Sequence, residues 1–330
     1  MKFLDQEITP LGMGCWPIGG PMFDAQGQPL GYTNSDDAES IRTIHAALAG
    51  GVTLFDTAAA YGAGHAERLL AKALKNRPDA LIVTKIGIAI DEGTKQLTGD
   101  EIDPNTVLPA LERCLQRLER DCIDLLLLHQ NGLPVPQAEA IFDEMEKAVA
   151  AGKIRSYGWS TDFSKSVSAT AGRDNFVAVE HALNVLVNPS AIQSTVRDHG
   201  LTALIRSPLA MGLLTGKYGP DAVMPADDIR STAAPKMPYF SDARSNPAML
   251  AQLDAVKAVL TSSGRTLAQG ALAWLWAKGS HNIPVPGART VDQIEGLVGA
   301  LAHGPLTAAE MEQIERLIQR DPENEPDRAR

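Results

Sequence analysis

Cysteine is scarce. The 330 residues hold only Cys15, Cys114 and Cys122, an odd number with no C-x-x-C spacing. This argues against a zinc site or a disulfide frame and makes a reducing compartment, the cytoplasm, the expected setting. Basic residues are in deficit: 30 Lys and Arg stand against 40 Asp and Glu, for a formal net charge of -10. An acidic surface argues against nucleic acid or an anionic membrane as partner. No apolar run approaches the length of a membrane span, and the opening MKFLDQEITP lacks the apolar core of a signal peptide. The seven histidines, His45, His65, His129, His181, His199, His281 and His303, include no H-x-H pair. A metal-dependent hydrolase would want such clustered ligands. No G-x-G-x-x-G follows an early strand, which weakens an open, doubly wound nucleotide-binding sheet.

What is present is ordinary globular composition, 44% hydrophobic and 21% charged, arranged in an alternation of strand-like and helix-like runs. Eight strand-like runs are read: 11–16, 52–58, 80–87, 123–130, 154–160, 176–183, 201–208 and 282–287. The run IDLLLLHQ is continuously apolar, as a strand buried on both faces must be. Helical spacing fills most of the intervals, with Ser35 as the expected N-cap of the first helix and Asp103 before Pro104 as that of a later one. Strict alternation implies parallel strands joined by crossover helices. Eight units in 330 residues point to a single-domain (β/α)8 barrel spanning residues 1–330. Two segments interrupt the rhythm. Residues 215–246, rich in Pro, Ser, Ala and Asp after the seventh strand, read as a flap or insert. Residues 303–330 read as an added helix, opened by the capping box Thr307 and Glu310, and a polar tail.

Chemistry in such a barrel sits at the strand C-termini, and this chain places polar residues there repeatedly. Asp56, Lys85 and His129 close the second, third and fourth runs, and Tyr61 lies just past Asp56. Each alone has an ordinary structural explanation; together on one rim they form a chemical set. Lys85 and Asp56 can pair. A lysine beside Tyr61 is expected to lower the tyrosine pKa from about 10 and tune it as a proton donor. Neutral His129 can donate to a carbonyl oxygen. The set suits a carbonyl becoming an alkoxide, hence hydride transfer with a cofactor.

The motifs FDTAAAYG, VTKIG, DLLLLHQ, GWS, SPLAMGLLTGKY and IPVPGARTVDQIE, in this order from about Leu11 to Ala302, resemble the aldo-keto reductase superfamily. The resemblance implies a (β/α)8 barrel that binds NAD(P)H across the strand C-termini and reduces aldehydes or ketones. It assigns the catalytic tetrad to Asp56, Tyr61, Lys85 and His129, and a pocket-lining position to Trp16, for which packing at the barrel bottom is the alternative. It implies nicotinamide contacts from Ser160, Thr161, Glu180 and Arg206, and pyrophosphate contacts from Ser207, Leu209, Gly212 and Lys217. Gly287 and Arg289 would bind the adenosine phosphate, and Gln293 and Glu295 the ribose and adenine. Thr161, Glu180 and Arg206 stand where asparagine, glutamine and an aromatic residue are usual. Arg206 is expected either to pair with Glu180 or to grip an anionic substrate group, which suggests a sugar-like or anionic carbonyl. Arg289 favours NADPH over NADH. The competing reading is a nicotinamide-binding redox regulator of a partner protein.

Overall fold

The computed structural model describes residues 1–231 and 238–320; the tail 321–330 and part of the 215–246 segment lie outside the described residues. Eight parallel strands form the central sheet: β1 (Gly12–Gly14), β2 (Leu54–Asp56), β3 (Leu81–Ile86), β4 (Ile123–Leu128), β5 (Ile154–Ser160), β6 (Phe176–Ala182), β7 (Thr202–Arg206) and β8 (Asn282–Pro284). Each pairs with its neighbour in chain order. The sheet closes where Gly14 bridges to Gly287, with the Gly14 N–H donating to the Pro286 carbonyl at 3.0 Å. The result is a (β/α)8 barrel. All eight strand-like runs are strands; seven are shorter than the run that marked them, and β5 matches its run of 154–160 in full.

Side-chain alternation sorts these strands. On β4, Leu125 and Leu127 point inward to meet Leu54, Leu81, Val83, Leu204 and Ile283, while Leu126 and Leu128 join the outer core under the helices. A hairpin of Lys2–Phe3 with Gln6–Glu7 sends Phe3 and Ile8 into the inner cluster, and Asp5 of its turn bonds Arg155 at the start of β5. This plugs the end of the barrel opposite the strand C-termini. Gly158 faces inward where a Cβ would come within 2.0 Å of the Ala178 carbonyl oxygen, so this close approach of β5 and β6 requires glycine.

The helices are α1 (Asp37–Ala49), α2 (His65–Ala73), α3 (Val107–Leu118), α4 (Val135–Ala150), α5 (Ser164–Thr170), α6 (Ser190–Asp198), α7 (Pro247–Leu260), α8 (Leu267–Lys278), α9 (Val291–Val298) and α10 (Ala308–Leu317). The cap of α1 is Asp36, not Ser35: its carboxylate accepts from Glu39 N–H at 2.7 Å, and an anion suits the helix dipole better than a hydroxyl. Asp103 starts a 3-10 turn, Pro104–Thr106, that runs into α3. The Thr307–Glu310 capping box is formed at α10. A hairpin at the rim, Ile88–Asp91 with Gln96–Asp100, has no counterpart in the sequence reading. No helix among the described residues is long and apolar enough to cross a membrane.

Candidate active site

The period-two alternation decides which polar residues meet. Leu54, Leu81, Val83, Ala178 and Leu204 point into the barrel. Two residues further along β2, β3, β6 and β7 come Asp56, Lys85, Glu180 and Arg206, each therefore facing the axis just above the apolar plug. A cleft of about 1510 Å³ opens above them, bordered by Asp56, Tyr61, His129, Ser160, Glu180 and Arg206. That exceeds the usual size of a small-ligand pocket and leaves room for a dinucleotide beside a substrate.

Lys85 is the centre. Its Nζ donates to Asp56 Oδ1 at 2.6 Å, to the Thr57 carbonyl at 3.0 Å and to Tyr61 Oη at 3.2 Å. Glu180 Oε2 lies 3.1 Å from the same nitrogen. Burial opposes the ammonium, but Asp56, Glu180 and Tyr61 outweigh it and hold the Lys85 pKa well above the ordinary lysine value. At Asp56 the balance differs: burial and then the like charge of Glu180 push its pKa up to about 7 against the pull of Lys85. Glu180 thus pairs with Lys85, not with Arg206.

Tyr61 corrects an expectation. Lys85 does pull its pKa down, but burial is the larger influence, and the two carboxylates add to it, so the phenol pKa lies above its ordinary value. The ring stacks on Trp16 with centroids 5.9 Å apart and meets His129 edge-on at 6.1 Å. His129 is pulled down to about 3 by burial, with Lys85 and Arg206 adding repulsion, so the ring is neutral. Its Nδ1 is buried without a partner. Trp16 borders the cleft at the rim, with its Nε1 donating to the Leu30 carbonyl at 3.2 Å, so barrel-bottom packing is not its role.

Arg206 is bound by Asp162, whose other oxygen accepts from Ala182 N–H at 2.9 Å. Burial opposes both charges, yet the pair raises the Arg206 pKa and lowers that of Asp162. Thr161 does not reach the cleft. It is fully buried, and its hydroxyl donates to the Asn131 carbonyl at 2.6 Å, accepts from Phe163 N–H at 3.2 Å and so braces the loop. Asn131 and Asp162 border the cleft in its place. Both lie within three residues of a strand end, a position that marks rim residues but that the motifs did not flag.

Beyond Arg206 the cleft runs along Ser207, Leu209, Gly212 and Lys217 to Gly287, Arg289 and Gln293. The backbone takes positive φ at Ser207, Ala210, Met211 and Gly212, a conformation costly enough for non-glycine residues to mark a functional loop. Thr290 caps α9, and Gln293 Oε1 accepts from Arg289 N–H at 2.9 Å. The Arg289 guanidinium bonds the Thr33 carbonyl. Glu295 is exposed on α9 and does not border the cleft; Asp292 does. A cationic group at one end, a strained loop in the middle and, at the other, a Glu180 carboxylate oxygen that is ion-paired to Lys85 but accepts no hydrogen bond fit an extended nicotinamide dinucleotide.

The fold and this rim define an oxidoreductase barrel. The chain belongs to the aldo/keto reductase family, whose model matches residues 10–319; its members are NAD(P)H-dependent oxidoreductases. It is 33% identical over 298 residues to the aldo-keto reductase str7 of Strobilurus tenacellus, covering 88% of this chain and 83% of that one. It is 28% identical over 310 residues to the aldo-keto reductase yakc [NADP(+)] of Schizosaccharomyces pombe, covering 91% and 86%. Among solved structures it resembles the glycerol dehydrogenase AKR11B4 of Gluconobacter oxydans, with a TM-score of 0.79, 26% identity and coverage of 97% and 96%.

Proposed function

We propose that the chain carries out NADPH-dependent, reversible reduction of an aldehyde or ketone, with Tyr61 as proton donor. The contact chain Asp56–Lys85–Tyr61, at 2.6 and 3.2 Å on the cleft floor, carries this reading. The cofactor supplies the hydride. Tyr61 holds its proton at neutral pH, because burial raises its pKa, and delivers it from Oη to the nascent alkoxide. Lys85, fixed by Asp56 and the Thr57 carbonyl, donates to the same oxygen and stabilises the phenolate left behind. His129, neutral, donates a ring N–H to the carbonyl oxygen and orients it.

Ser160, Glu180 and Arg206 border the nicotinamide end, while Ser207, Leu209, Gly212, Lys217 and Gly287 line the path for the pyrophosphate. Arg289, with Gln293 beside it, supports NADPH over NADH through the extra phosphate. The described residues 215–231 act as a flap, since Tyr218, Ile229 and Arg230 border the same cleft. For the substrate, Arg206 is already neutralised by Asp162. The walls above Tyr61 come from Trp16, Met22, Tyr32, Ile88, Leu97 and Phe163. These favour a carbonyl compound with an apolar or aromatic body over the sugar-like or anionic one that Arg206 alone suggests.

The test is NADPH oxidation against aromatic, aliphatic, polyhydroxylated and anionic aldehydes. Tyr61→Phe should lower kcat by roughly 10²–10⁴-fold with NADPH affinity kept within about threefold, since no charge is lost. Full activity in that variant would refute the assignment of Tyr61, and preference for an anionic aldehyde would refute the apolar substrate.

A further inference from the structure

Resting on the nicotinamide-dependent reading above, we propose that Glu180 makes this site select between the redox forms of its cofactor. Its carboxylate favours the oxidised, cationic nicotinamide, whose binding expels a proton from the site.

The geometry begins with a shortage of hydrogens. A lysine ammonium has three, and Lys85 commits them to Asp56, the Thr57 carbonyl and Tyr61. Glu180 Oε2, only 3.1 Å from that nitrogen, receives none and is buried without a hydrogen-bond partner, although its residue borders the cleft. A charge shortage goes with it. Around Glu180 on β6 stand Asp56 on β2, Lys85 on β3, Arg206 on β7 and Asp162 just after β5. Burial holds Cys15, Tyr61, His181 and Tyr239 neutral, and His129 is likewise neutral. Arg206 is matched by Asp162. Asp56 and Glu180 are left to share the one ammonium of Lys85, so one buried negative charge has no cation.

The reaction fixes where a cation can arrive. A hydride crosses only the short gap between reacting carbons, and the carbonyl oxygen must lie within a hydrogen bond of Tyr61 Oη. Tyr61 Oη, Lys85 Nζ and Glu180 Oε2 are successive contacts. Any productive pose therefore puts the nicotinamide ring in the same buried space as the surplus charge. The oxidised ring carries one positive charge and the reduced ring none, so Glu180 attracts the two forms unequally. With no cation present, the surplus charge favours a bound proton. Burial and the like charge of Glu180 push the Asp56 pKa up to about 7, far above an ordinary carboxylate, which makes Asp56 the group that holds this proton. A cationic ring lowers that pKa and sends the proton to solvent; a neutral ring does not. The phosphates are common to both forms and cancel in the comparison.

The experiment is calorimetric titration of the full chain with NADP⁺ and with NADPH at pH 7, in phosphate and in Tris buffer, for wild type and Glu180→Gln. Wild type should release a fraction of a proton on binding NADP⁺ but not NADPH. Glu180→Gln should weaken NADP⁺ at least tenfold, change NADPH less than threefold and abolish the release. Equal proton release for the two forms in wild type, which needs no variant to fold, overturns the proposal. So does an unchanged affinity ratio in Glu180→Gln. A wild-type chain that binds neither form overturns the cofactor reading itself.

Discussion

Tyr61 and its neighbours show how burial and pairing compete within one cluster. Lys85 is fully buried among two carboxylates and a phenol, so its removal leaves uncompensated charge. Lys85→Met should abolish turnover and cost about 3–5 kcal/mol of stability in chemical denaturation. Adding Asp56→Asn and Glu180→Gln to that variant should restore most of the stability and none of the activity. His129 makes a prediction of its own. Its folded pKa, about 3, lies below the ordinary 6.5, so the unfolded chain binds a proton over that interval and the folded chain does not. Stability is lost as pH falls from 6.5 toward 3. Denaturation midpoints of His129→Gln should fall less steeply than those of wild type across this range.

Among the strands and helices, local rules and close packing set the tolerances. Gly158 admits no side chain, because a Cβ meets the Ala178 carbonyl at 2.0 Å. Gly158→Ala should therefore lower stability by roughly 1–3 kcal/mol as β5 and β6 shift apart, read as a drop in Tm. At α10 the capping box joins Thr307 to Glu310, and Glu310 also pairs with Arg265 before α8. Thr307→Ala should cost about 1 kcal/mol and raise amide exchange in α10 first. Buried Ile314 is the main apolar anchor of that helix, with Ile318 just past its end.

At the scale of the whole molecule, the described part of the segment after β7 borders the cleft through Tyr218, Ile229 and Arg230. Arg230 holds Asp228 in a two-bonded pair at 2.7 and 2.8 Å and donates to Tyr218 Oη at 2.6 Å. Its guanidinium also lies over the rings of Tyr32, Tyr218 and Phe240. Ile229 N–H donates to the Gly31 carbonyl at 2.9 Å, which ties the segment to the loop before α1. One residue thus latches the roof of the cleft. Arg230→Met should increase hydrogen exchange over 218–231 at least tenfold in the free protein and weaken NADPH binding, while the barrel strands stay protected.

The barrel was legible because strand alternation, helix periodicity and polar residues at strand ends are local patterns that one chain can display. That Asp56, Lys85, His129 and Tyr61 would share one rim was legible because the first three sit at the ends of runs long enough to identify, and Tyr61 at a fixed distance past one of them. Partner choice was another matter. Arg206 joins Asp162 and leaves Glu180 to Lys85; Thr161 turns away to Asn131; Glu295 stays in solvent. Those outcomes depend on which strands lie side by side and how deeply each group is buried. Burial likewise reversed the expected direction at Tyr61, since desolvation is set by everything packed around a group and by nothing in its own segment.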